Sequence, residues 1–79
     1  MSSHNRLLSP SELEALYDEQ FGVLAEIAIT EFTIPADEAE QLVHDAFLAG
    51  LRHFGRVDDP RAWLAAAVTT AARHRAARN

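Results

Sequence analysis

Residues 36–64 read ADEAEQLVHDAFLAGLRHFGRVDDPRAWL, and this stretch decides the fold. Asp37, Glu38 and Glu40 open it, where the positive end of a helix dipole favours acids. Ala39, Leu42, Val43, Ala46, Phe47, Gly50, Leu51 and Phe54 then recur at i, i+3, i+4 spacing, which predicts a helix from Ala36 to Phe54 with one apolar stripe. Gly55 is the expected left-handed stop. Gly50 lies on the stripe at a cost of ~1 kcal/mol in helix propensity, so a close approach by another helix is expected there. Asp59 and Pro60 are the cap and first residue of a further helix.

Working outward, the downstream helix carries Trp63, Leu64, Ala67, Val68 and Ala71 as its inner stripe. Trp63 is expected to pack on Leu42, Phe47 or Leu51. Residues 72–79 lose large apolar side chains and read as a polar, protruding end. Upstream, Ser9-Pro10-Ser11-Glu12 forms a capping box with proline at the first helical position. Leu13, Leu16, Tyr17, Leu24, Ile27 and Ala28 follow at helical spacing, and Phe21, Val23, Ile29 and Phe32 widen that stripe. Pro35 disfavours helix at Ile34, so this first helix ends near Phe32-Thr33. Residues 1–8 are expected to fray, leaving one all-α, compact three-helix domain over 9–79.

Composition narrows the function classes. The 79 residues include fifteen alanines and no cysteine, which favours helix and excludes disulfides and thiolate metal sites. No signal peptide or membrane-length apolar run is legible, so a cytoplasmic protein is expected. The four histidines, His4, His44, His53 and His74, form no i, i+3 or i, i+4 pair, so neither a metal nor a cofactor is expected. No nucleophile elbow, P-loop or dinucleotide fingerprint is present, and an enzyme is not expected. The net charge of −5 is divided unevenly: residues 1–59 hold all twelve acids and residues 60–79 hold arginines without acids. A basic segment confined to one helix can touch phosphate, although it also complements its own helix dipole.

Two constellations stand out. Gln41, His44, Asp45, Leu48 and Arg52 share the side of the second helix opposite its core stripe. An ordinary solvated face explains most of them, and Leu48 is the residue that favours an interface. Arg61, Arg73, Arg75 and Arg78 on the third helix are the candidates for phosphate contact.

The series Ala39-Glu40-Gln41-Leu42-Val43-His44-Asp45-Ala46-Phe47, followed after a turn by Pro60-Arg61-Ala62-Trp63-Leu64, resembles domain 2 of bacterial sigma factors of the extracytoplasmic-function type. The resemblance covers roughly residues 11–78. It implies that the outward face of the second helix docks on the clamp coiled coil of the largest RNA polymerase subunit. The family's acidic and glutamine pattern falls on Gln41, His44 and Asp45, and only Asp45 keeps a carboxylate. In the last helix the family's Arg-Asn pair is replaced by Thr69-Thr70 and its Asp by His74. The first helix, basic in the family, here carries Glu12, Glu14, Asp18, Glu19, Glu26 and Glu31. Weak or absent promoter-DNA binding by the chain alone is therefore expected.

Seventy-nine residues do not hold both domain 2 and the helix-turn-helix domain 4 of that family. A piece of a longer sigma factor, a split subunit working with a separate region 4 partner, and a diverged stand-alone relative are the readings that follow. The rival function is a protein-interaction module of the same ancestry. It would bind an anti-sigma-like regulator or sister chain and would not open DNA.

Overall fold

The computed structural model describes residues 8–78. The fraying expected for residues 1–7 lies outside the described residues. Three helices, α1 (Pro10–Phe32), α2 (Ala36–Gly50) and α3 (Pro60–Arg78), pack against one another in all three pairings, with a short 3-10 turn at Phe54–Arg56. Among the described residues there is no strand, and no helix is long and apolar enough to cross a membrane. The fold is the all-α three-helix domain that the stripes predict.

The caps act where the sequence places them. The Ser9 hydroxyl accepts from the Glu12 amide at 3.2 Å, and the Ser9 amide donates to Glu12 Oε1 at 2.8 Å. Asp59 Oδ1 accepts from the amides of Arg61 and Ala62 at 3.1 and 3.3 Å, which satisfies two orphan donors of α3. At the other end of α1, Thr33 sits in the left-handed region at φ 56, ψ 41. The Ile34 amide reaches back to the Ala28 carbonyl at 3.3 Å. This wrap closes the helix and buries Ile34 to 2% exposure, a core residue that the helical stripes did not include. Leu8, expected to fray, packs partly against the core.

Leu16, Leu24, Ala25 and Ala28 of α1 meet Ala39, Val43, Ala46 and Phe47 of α2 and Leu64, Val68 and Ala72 of α3. Leu64 and Val68 are fully enclosed, and Ala72 belongs to the core, so the protruding end of α3 begins one residue later than expected. Val23 does not join the core and is 56% exposed. Glu19 on α1 pairs with Arg61 near the start of α3, while Glu38 near the start of α2 pairs with Arg75 near the end of α3. Thus α1 and α3 run parallel and α2 runs against both.

The exit from α2 departs from the expected course. The helix ends at Gly50, four residues before Phe54. The amides of Arg52 and His53 bond three residues back, to the Ala49 and Gly50 carbonyls at 3.2 and 2.8 Å. This tighter winding redirects the residues that follow Leu51. Phe54 is buried, whereas Leu51 is 48% exposed and leaves the stripe assigned to it. Gly55 is buried in the 3-10 turn, and no described glycine has positive φ, so it is not the left-handed stop.

Trp63 is half-buried, with its ring 5.8 Å from Phe54 in an edge-on contact and 5.4 Å from His53. The aromatic partners of Trp63 are thus Phe54 and His53, in the turn after α2. Gly50 shows why the backbone is bare here. A methyl at that position would overlap the Phe54 ring and come within 3.0 Å of Trp63 Cζ3. The close approach expected at Gly50 is therefore made by two aromatic rings, one from the next turn and one from α3.

Candidate protein-docking face

α2 turns one side to the core and the other to solvent. Gln41, His44, Asp45 and Leu48, at successive offsets of three, one and three, all lie on the solvent side. The Gln41 side-chain amide donates to Asp45 Oδ1 at 2.9 Å, one helical turn away. That bond restrains both side chains and leaves the second carboxylate oxygen of Asp45 free to accept from a partner's guanidinium. His44 meets the Tyr17 ring of α1 edge-on at 6.5 Å. Leu48 is 51% exposed. Arg52 is exposed too, but it stands in the turn beyond α2 because the helix stops at Gly50. Of the five residues singled out in the sequence, four thus share one helix face, and the fifth, Arg52, is exposed in the exit turn. Sequence periodicity missed Leu51. Its spacing assigns it to the edge of the core stripe, but its amide still bonds to the Phe47 carbonyl at 3.1 Å and its side chain is exposed.

The four arginines of α3 do not form one cluster. Arg61 and Arg78 are separated by about 25 Å of helix axis at 1.5 Å per residue. Arg73 and Arg75, two positions apart, point to opposite sides of α3. Arg61 is held by Glu19, with Nε on Oε2 and Nη2 on Oε1, both at 2.7 Å. This fork lowers the Glu19 pKa, chiefly through the hydrogen bond from Arg61, and raises that of Arg61 through the same bond. Arg75 Nη2 lies 2.6 Å from Glu38 Oε1. Two of the four candidate phosphate contacts therefore also tie α3 to its neighbours, while Arg73 and Arg78 are exposed on the last turns. Along another side of α3, Trp63, Ala66, Ala67, Thr70 and Ala71 line a shallow trough. Its walls are methyl groups and one hydroxyl, with the half-buried indole at one end.

Comparisons with protein-family models, curated proteins and solved structures return no match for the chain.

Proposed function

We propose that the chain is a sigma-factor domain 2-like module of transcription initiation. It docks through the outward face of α2 on the clamp coiled coil of the largest RNA polymerase subunit, in the cytoplasm. The observation that carries this reading is the joint exposure of Gln41, His44 and Asp45, where the family's docking pattern falls, with Leu48 on the same helix face. The Gln41–Asp45 hydrogen bond supports it further, because a carboxylate already held in one rotamer loses less entropy when an arginine takes it.

Asp45→Arg is expected to weaken binding to the isolated clamp coiled coil at least tenfold in calorimetry. Thermal stability should be unchanged, since an exposed charge swap shifts stability by only ~0.5 kcal/mol. Wild-type protein that shows no heat of binding at high concentration removes the polymerase reading.

One set of observations favours the second reading, an interaction module that binds a regulator or sister chain and leaves DNA closed. Arg61 and Arg75 are engaged with Glu19 and Glu38, and α1 presents Glu14, Asp18, Glu26 and Glu31 to solvent. In both readings the chain works by docking, and promoter DNA is handled weakly or by a separate region 4 partner.

A further inference from the structure

Leu48 and Leu51 stand in water at 51% and 48% exposure, and they are not isolated. His44 precedes Leu48 by one helical turn, and Phe47 precedes Leu51 by four residues. Both of those rings meet Tyr17 of α1, with centroids 6.5 and 4.9 Å away. Tyr17 in turn stacks on the half-buried Phe21 at 5.1 Å. A cluster of rings, Phe21 and Tyr17 of α1 with His44 and Phe47 of α2, therefore bridges the two helices, and the exposed Leu48 and Leu51 follow it one turn further along the chain. Single exposed leucines are ordinary, but two of them one turn beyond a ring cluster that bridges two helices mark an interaction surface. Exposed acids stand on both helices, Glu14 and Asp18 on α1 and Glu40 and Asp45 on α2, with one cation, Arg52, next to Leu51.

We infer that this α1–α2 face binds an amphipathic helix that carries leucine-like side chains on one stripe and arginine or lysine on its flanks. Two packed helices lie about 8–10 Å apart, so the furrow between them suits the ridge of a third helix. Four carboxylates against one arginine favour a basic occupant. A second copy of the same face would set carboxylates against carboxylates, and an anionic lipid surface would be repelled in the same way. The inference shares His44 and Leu48 with the polymerase reading and goes beyond it, because it commits α1 to the surface and fixes the partner's chemistry whatever the partner is.

The test uses the full chain, labelled with ¹⁵N, and a synthetic helical peptide with leucines on one face and arginines on both flanks. One control peptide has the same composition with its leucines scattered around the helix. A second replaces the arginines by glutamate. By fluorescence anisotropy, the amphipathic basic peptide is expected to bind at least tenfold more tightly than either control. Its amide shift changes should centre on Tyr17, Phe21, His44, Leu48 and Leu51. The double substitution Leu48→Ser and Leu51→Ser, both on exposed positions, should lower the affinity at least tenfold with the melting temperature unchanged. Phe21→Ala should lower it as well, which reports the share of α1.

Equal binding of the scattered peptide, shift changes centred on α3, or full affinity of the double variant would overturn the inference. Peptide binding without binding to the clamp coiled coil upholds this inference and removes the polymerase reading. Clamp binding with no peptide preference does the reverse.

Discussion

Thr33 holds a backbone conformation that suits few residues. A β-branched side chain at φ 56 is a steric outlier, tolerated because the wrap that follows brings Ile34 into the core. The left-handed region costs an L-residue roughly 1–2 kcal/mol, while glycine adds about 0.5–1 kcal/mol of chain entropy to the unfolded state. Thr33→Gly is thus expected to raise stability by about 0.5–1 kcal/mol, read as a higher melting temperature by calorimetry. No buried contact is lost, because the threonine is exposed. The helical glycines separate two other effects. Nothing lies within 4 Å of a methyl added at Gly22, an exposed position inside α1, whereas one at Gly50 meets Phe54 and Trp63. Gly22→Ala should gain about 0.5–1 kcal/mol of helix propensity. Gly50→Ala should lose about 1–3 kcal/mol to displaced rings. Denaturant melts of the two variants that move in the same direction would contradict the packing at the end of α2.

Between elements, the two ion pairs act as struts. The Arg61–Glu19 fork joins α3 to α1, and Arg75–Glu38 joins α3 to α2. Both pairs are exposed to solvent, so each adds little to stability by itself. The Glu19 pair is visible through its pH dependence. Because folding lowers the Glu19 pKa, the pair's contribution is present above the ordinary glutamate value of 4.5 and is lost as pH falls through the lower folded value. The difference in melting temperature between wild type and Glu19→Gln should therefore be small and positive near pH 7. It should close as the pH drops below about 4.5. A difference that persists unchanged at pH 3 would mean that the carboxylate is not what joins the helices. Raised pKa on Arg61 works in the opposite sense, with its contribution present throughout the neutral range and lost only in strong alkali.

For the whole molecule, charge distribution decides what it can approach. Twelve acids outnumber seven arginines, and the arginines of α3 are spread along and around the helix instead of lining one groove. Single-strand capture needs a basic groove with stacking platforms, and counterion release scales with the phosphates neutralised. Fluorescence anisotropy with a single-stranded promoter-like oligonucleotide is expected to show no binding near physiological salt. At low salt, any binding should fall steeply as salt is added and should depend chiefly on Arg73 and Arg78. Tight, salt-resistant binding that distinguishes base sequence would restore a full promoter-opening role.

The sequence by itself determined the three helices, the capping box of α1, the Asp59 cap of α3 and the polar face of α2, because these depend on neighbours one turn apart. The start of each helix is written in Ser9-Pro10, Pro35-Ala36 and Asp59-Pro60, and the structure begins each helix there. Tertiary packing decided the rest. Leu51 and Phe54 carry the same periodic signal, yet two aromatic rings crowd Gly50, the chain tightens into a 3-10 turn, and one of the pair is buried while the other is exposed. Arg61 and Glu19 are 42 residues apart, so no local spacing foretells their fork. The ring cluster on the α1–α2 face likewise joins Tyr17 and Phe21 to His44 and Phe47 across a distance in sequence that only the antiparallel packing of α1 and α2 closes.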